Sequence, residues 1–339
     1  MSNNNDDFVV IINNEPETGV DFNQVWIEST DLEIHCSDRP LPLQVVGEDE
    51  DFGLLKVKMS KAPITTVPVF FLFTVDKTGS MNENAYGNQT KMMVVIQTMI
   101  NVFLYLAKQD ATIYVQVNSF NSEVEITIEQ VQITLDNVQS LIKKIQSIYA
   151  SSITNIEVAL TKANEVLQTY SSNFPDHQIC HMFMTDGQPT MGDKRPNALS
   201  ALVNGSYSHI FVGFGQDHNA RLLKCLSDKP SCLYQYVNSM ENTALIYGEA
   251  IHRYLFPCIR NAYLTVDQGE IYNWMTNTWT QRIDEDVLVS EIEKMYHIRR
   301  KKGNCVAVDI YGTCAGQQEP VHIENSMEIP YLIDLETGD

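Results

Sequence analysis

Basic residues are scarce in this chain. Its 339 residues hold 23 lysines and arginines against 43 aspartates and glutamates, a net charge of −20. That balance argues against a nucleic-acid partner, which would need a basic stripe. It suits divalent cations and basic partners, and most of the charge serves solubility. Long hydrophobic runs are also lacking: none reaches membrane-spanning length, and the longest reads as one buried strand, so no membrane partner is expected. The opening MSNNNDDF has neither a basic n-region nor an apolar h-region. Zinc-knuckle spacing is missing from the seven cysteines, since the gaps Cys225–Cys232 and Cys305–Cys314 are too wide. An odd cysteine count without a leader points to reduced, buried thiols in a cytosol-like compartment.

What is present is enough for a sizeable core. The chain is 44% hydrophobic and long enough for one large domain and a smaller one. Residues 1–22 read as a loose N-terminus rich in Asn, Asp, Glu and Gly. Residues 23–65 read as a β segment: VWIES, LEIHCS, LPLQVV and GLLKVKMS are strand-like, with an acidic turn near Gly47–Phe52. From residue 66 to 256, strands and helices alternate. Strands are expected at Val69–Val75, Ile113–Ser119, Gln178–Met184, Ser208–Val212 and Leu233–Val237, with Val124–Ile128 as a hairpin mate or edge strand. Helices are expected at Gln89–Lys108, Asn137–Ile148, Ile156–Tyr170, Asn197–Val203, Asn219–Leu226 and Asn242–Leu255. Such alternation implies an α/β fold, a doubly wound, mainly parallel sheet covered on both faces. Residues 257–339 turn β-rich again, apart from a helix expected at Val287–Arg300, whose basic end suits a helix C-terminus. The economical arrangement is one small all-β domain built from both ends, with the α/β domain inserted in it. The competing arrangement is two independent extensions.

The stretch Val69–Ser80, VFFLFTVDKTGS, is an apolar strand that ends in a carboxylate and two hydroxyls at alternate positions. Loops at the carboxyl edge of a parallel sheet line its crevice, where functional groups collect. Two further loops belong at that edge: Ser151–Asn155 before a helix, and Met184–Gly187 after a strand. Together they would assemble Asp76, Thr78, Ser80, Thr154 and Asp186 as candidate metal ligands. Each also has a plain structural role open to it. Thr154 could N-cap its helix with Glu157 as capping-box mate, Asp186-Gly187 could be only a turn, and Ser80 could cap the next helix.

In this order, Asp76-Lys77-Thr78-Gly79-Ser80, then Thr154, then Asp186, the chain resembles the von Willebrand factor A domain family, which includes integrin I domains. VDKTGSM, SITNIEVAL and FMTDGQPT resemble its strand-and-loop contexts. The resemblance covers roughly residues 66–256 and carries the family's metal-ion-dependent adhesion site. It implies Mg2+, or alternatively Mn2+ or Ca2+, held directly by hydroxyls and largely through water by Asp76 and Asp186. It also implies a protein partner that supplies an acidic residue as the last ligand. Thr78 stands where serine is usual; it keeps the hydroxyl but adds a methyl and a stiffer χ1.

The expected function is therefore a non-enzymatic interaction module, not an enzyme. A metal-dependent hydrolase has no support beyond the carboxylates, because no base or nucleophile stands at a suitable spacing. A third reading is a structural or assembly subunit with a vestigial site. The Asn-rich, Ile-rich style would suit a large virus, so the expected location is the cytoplasm or, for a viral chain, the virion. Cys180-His181 and His209 read as core. Gly213-Phe214-Gly215 reads as a sheet-end turn with Asp217 near the same edge. Met81, Met92, Met93 and Met99 read as core filler, and Tyr272, Trp274 and Trp279, on an alternating hairpin open to partial exposure, read first as packing of the β domain and second as a partner surface.

Overall fold

The computed structural model describes residues 9–11, 30–35, 50–59, 64–86, 88–215, 218–229, 231–237, 248, 250–274, 276–301, 306–314 and 320–327. The first strands are β1 (Val9–Ile11), β2 (Thr30–His35) and β3 (Glu50–Met59). An α/β block follows: β4 (Val69–Asp76), β5 (Asn84–Tyr86), β6 (Gln89–Thr90), α1 (Lys91–Leu106), β7 (Ile113–Phe120) and β8 (Val124–Gln132). It continues through α2 (Val138–Gln146), α3 (Ile156–Asn173), β9 (Gln178–Thr185), α4 (Pro196–Ala201), β10 (Ser208–Phe214), α5 (Ala220–Leu226) and β11 (Cys232–Val237). The last strands are β12 (Pro257–Asp267), β13 (Gly269–Asn273), β14 (Thr278–Thr280), β15 (Arg282–Val289), β16 (Glu293–Lys301), β17 (Val306–Cys314) and β18 (Pro320–Met327). Two compact units result, one from Met1–Ile64 with Phe256–Asp339, the other from Thr65–Leu255. Among the described residues no helix is long and apolar enough to cross a membrane.

The α/β unit is built on one sheet in the order β11-β10-β9-β4-β7-β8. All neighbours are parallel except the β7–β8 pair at the edge. Every residue of β4 is buried, as a strand covered on both faces requires. Phe70 stacks on Tyr170 of α3 with centroids 3.9 Å apart, while Phe73 on the other face meets Phe103 of α1 at 5.6 Å. The α/β expectation holds, and the parallel strands end together at one edge. Met81, Met92 and Met99 fill the core, but Met93 is exposed. The helix expected at Asn242–Leu255 is described only at 248 and 250–255.

A row of buried polar groups crosses the sheet beneath α3. His209 Nε2 meets the Asn204 carbonyl at 2.9 Å, so it carries a proton and leaves Nδ1 bare. His181 Nδ1–H then donates to that nitrogen at 2.9 Å, and the Thr74 hydroxyl donates to His181 Nε2 at 2.9 Å. The histidines are core residues, as expected, and their bonds run in one direction.

In the β unit, one sheet runs β1-β2-β3-β16-β13-β14 and another β15-β12-β17-β18. N- and C-terminal segments share the first sheet, since β3 pairs with β16 from Lys58↔Glu293 to Glu50↔Lys301. Between the sheets lies a core that includes Leu55, Val57, Ile259, Leu264, Ile298, Val308 and Ile310. Gly312 of β17 sits where a β-carbon would come within 2.2 Å of Ile259 Cγ2, beside an irregularity in the register of β12 between Arg260 and Tyr263.

Three expectations change here. Val287–Arg300 is not a helix but parts of β15 and β16, joined by a turn at Glu291 with φ +60°. Its burial alternates, with Tyr296, Ile298 and Arg300 inside and Met295 outside. Within the stretch 1–22 expected to be loose, Val9–Ile11 pairs with β2. Trp274 is exposed, while Tyr272 and Trp279 contact each other and Arg299 lies over the Trp279 ring at 4.8 Å. The expected strands VWIES and LPLQVV and Asp217 lie outside the described residues.

Candidate metal centre

Asp76 is the last residue of β4, and its side chain is fully buried. Its Oδ1 accepts the Thr78 N–H at 2.9 Å, which curls the chain back just past the strand. Its Oδ2 accepts the Thr185 hydroxyl at 2.5 Å, and Thr185 Oγ1 in turn accepts the Gly187 N–H at 2.8 Å. The curl brings Thr78 Oγ1 to 3.1 Å from Ser80 Oγ. Adjacent oxygens of an octahedral magnesium at ~2.1 Å are about 3 Å apart, so the spacing fits neighbouring ligands.

The other loops are stitched to this one through their backbones. Gly79 N–H donates to the Ser152 carbonyl at 3.0 Å and Ser151 N–H to the Lys77 carbonyl at 2.8 Å. Thr154 N–H donates to Thr190 Oγ1 at 2.9 Å, while the N–H groups of Thr190 and Met191 both donate to the Thr154 carbonyl at 2.9 Å. Asn219 N–H holds the Asp186 carbonyl at 3.0 Å. Thr78, Thr154 and Asp186 are buried, and Ser80 is half-buried. All five candidate residues thus sit on three loops at the carboxyl edge of the sheet, and backbone bonds tie the first loop to the second and the second to the third.

The plain structural roles distribute differently from expectation. Asn155, not Thr154, caps α3 by accepting from Val158 N–H at 3.2 Å. Glu157 accepts from Asp193 N–H at 2.8 Å instead of closing a capping box. Thr90, not Ser80, caps α1. Asp186-Gly187 does turn, with Gly187 at φ +71°.

Gly192 latches the third loop. Its φ is +73°, and a β-carbon there would lie 2.5 Å from Asn155 Oδ1 and 2.8 Å from Glu157 Oε2, the atoms that cap α3 and hold Asp193. Gly192→Ala is expected to cost about 1–2 kcal/mol in urea unfolding, from left-handed strain plus the displaced cap.

Besides Thr185, sequence reasoning passed over a charged residue of the pocket. Lys91, the first residue of α1, is 1% exposed and reaches both Asp186 Oδ2 at 3.3 Å and Glu83 Oε2 at 3.0 Å. A cation at a helix N-terminus opposes the macrodipole, and that oddity was the available signal. The buried ammonium thus pairs with one buried carboxylate, Asp186, and one exposed one, Glu83, while the buried Asp76 is held by Thr78 and Thr185. Asp186 Oδ1 is buried with no hydrogen-bond partner, and an orphaned carboxylate oxygen in such a place is costly. Asp76 is pushed up to about 7, first by burial and then by the charge of Asp186, against the bonds from Thr185 and Thr78. Among the described residues no three His, Cys, Asp or Glu side chains gather as a metal cluster. Ligation would rest on two carboxylates and three hydroxyls, a hard, oxygen-only set that fits magnesium.

Fold and site define a class: an open α/β domain with an oxygen-lined pocket at the carboxyl edge of its sheet. The sequence matches the model of the von Willebrand factor type A domain over residues 71–249, more than half of its length, and the chain belongs to that family. No curated protein sequence matches it. Its structure is similar to von Willebrand factor type A from Catenulispora acidiphila, with a TM-score of 0.58 and 13% identity over 89% of this chain and 73% of that one. An ArnB paralog from Sulfolobus acidocaldarius aligns at a TM-score of 0.48 and 16% identity, over 88% of this chain and 74% of that one. The PilB minor pilin from Streptococcus sanguinis aligns at 0.46 and 14%, over 65% and 77%. At such identities the likeness shows the fold alone.

Proposed function

We propose that this chain is a non-enzymatic protein-interaction module that holds a divalent cation among Asp76, Thr78, Ser80, Thr154 and Asp186 for an acidic side chain of a protein partner. The observation that carries this reading is Asp186 Oδ1, buried and unbonded in a pocket that holds two carboxylates and one ammonium. When bound, the cation supplies an electrophilic position that a partner's carboxylate can take. The chain's own residues orient and shield. Asp76 sets the curl that presents the two hydroxyls, and the Thr154–Thr190 bonds keep the second and third loops in register. Ile153 and Met191, next to Thr154 and Thr190 in the chain, stand exposed and offer apolar contact to the residues flanking that carboxylate.

Ser80→Ala tests the reading. Mn2+ binding, followed by the loss of the free-ion paramagnetic resonance signal, is expected to weaken at least about tenfold, which corresponds to one ligand's share of the site. Unfolding in chelator should stay unchanged, because Ser80 is half-buried and bonded only within its own loop. A wild-type chain that binds no Mn2+, or a variant that binds it equally well, rejects the site. Partner capture that survives chelation rejects the bridging role.

A further inference from the structure

We propose that Lys91 is a tethered competitor for the divalent cation at Asp186, and that Glu83 is the carboxylate that draws it away. The inference rests on the metal reading above and adds a control on occupancy of the same site.

Lys91 is anchored at both ends. Its N–H donates to the Glu83 carbonyl at 3.0 Å, and its ammonium bridges Glu83 Oε2 at 3.0 Å and Asp186 Oδ2 at 3.3 Å. The two carboxylates differ in setting: Asp186 is buried, whereas the Glu83 side chain is 58% exposed. The ammonium already lies nearer the outer carboxylate. Asp186 therefore spends one oxygen on Lys91 and keeps the other, Oδ1, without a partner.

A full positive charge so close to Asp186 repels a divalent cation with little solvent screening, since the lysine is buried. It also provides the buried carboxylate with the counter-charge that the cation would otherwise bring. Entry of the cation is therefore opposed twice, by repulsion and by loss of the Lys91–Asp186 ion pair. Glu83 lowers that opposition because Lys91 can keep an ion pair after it releases Asp186. The same displacement acts on the short hairpin of β5 and β6, which lies between Glu83 and Lys91 in the chain.

The test is Mn2+ affinity by paramagnetic resonance of the free ion, in four proteins: wild type, Lys91→Gln, Glu83→Gln and the double variant. Lys91→Gln keeps part of the stem and a donor but removes the charge, and is expected to bind Mn2+ at least about tenfold more tightly. Glu83→Gln is expected to bind about threefold more weakly. In the double variant the Glu83 effect should shrink towards none, because Glu83 acts through Lys91. In the wild type, the Lys91 ammonium resonance of nitrogen-labelled protein should move with added Mg2+ and saturate with the site. That measurement needs no variant to fold.

Wild-type Mn2+ binding with equal or weaker binding by Lys91→Gln overturns the competitor role and leaves the metal site standing. A Lys91 resonance that ignores Mg2+ in a chain that binds it does the same. A Glu83 effect of undiminished size in the double variant overturns the part assigned to Glu83. Absence of Mn2+ binding in both wild type and Lys91→Gln overturns the metal reading itself, and this inference with it.

Discussion

In chelator at about pH 8, Asp76→Asn is expected to unfold at a higher temperature than the wild type, and a saturating divalent cation is expected to reverse that order. The first half follows from burial. Asp76 is fully buried, and its carboxyl lies at about 7 instead of 3.8, with burial the larger cause and Asp186 the second. A folded-state value above the unfolded one means that the contribution is fully present below 3.8 and is lost as pH rises through about 7. Three units amount to about 4 kcal/mol. The variant carries no charge there, so it avoids this loss. Its amide has one accepting oxygen where the carboxylate had two, so it keeps the bond from Thr78 N–H but turns an N–H towards Thr185 Oγ1 and loses the bond from that hydroxyl, at a cost of about 1–2 kcal/mol. The net gain in chelator is about 2 kcal/mol by this reckoning. The second half follows from linkage. At a hundred to a thousand times its dissociation constant, a ligand adds about 3–4 kcal/mol to the state that binds it. The wild type receives that stabilisation, and the variant, short of one carboxylate, receives little. Urea unfolding of both proteins, with chelator and with magnesium, reads the result. A variant that is weaker in both conditions shows that the carboxylate is structural, and an order that never reverses shows that no cation docks at it.

The candidate loops were legible in sequence because each borders a periodic segment. Val69–Val75 is apolar but for Thr74, so the residues just after it had to lie at a sheet end. The same logic placed Thr154 before its helix and Asp186 after its strand. Lys91 and Thr185 were not legible in that way. Thr185 matters through a bond to Asp76 across 109 positions, and Lys91 through ion pairs that depend on where α1 starts relative to β9. Both are properties of packing. The helix expected at Val287–Arg300 failed for a related reason. Its apolar spacing and basic end satisfied a helical pattern, but Tyr296 and Ile298 also satisfy a period of two. Pairing with β3, 235 positions earlier by the Lys58↔Glu293 register, decided between them. Thr154 shows the reverse case: a capping signal was read at the right place, but Asn155, one residue later, makes the cap.

Acidification from about pH 6.5 to about pH 4 is expected to destabilise the α/β unit through His181 and His209. His209 is lowered to about 4, mainly by burial and further by the charge of Lys229, against the bond it donates to the Asn204 carbonyl. His181 is pushed well below its ordinary range, first by burial and then by His209. For each, the unfolded chain takes up its proton first, as pH falls below 6.5. Stability is therefore lost until the folded group also titrates. For His209 this amounts to about 3 kcal/mol, and His181 adds in the same direction. The bond network explains why the folded state resists. Protonating either ring would place N–H against N–H between His181 and His209, or against the donating Thr74 hydroxyl. Asp76 tilts the same window the other way, so Asp76→Asn is the right background for the measurement. There, urea unfolding should weaken steadily from about pH 6.5 to about pH 4. Adding His181→Leu and His209→Leu together should flatten that slope, at a cost near neutrality of about 1–3 kcal/mol for the bonds left open at Thr74 and Asn204. Replacing both is essential, because either alone would leave the other ring facing an apolar partner. A slope that persists without the two rings would place the proton uptake elsewhere in the chain.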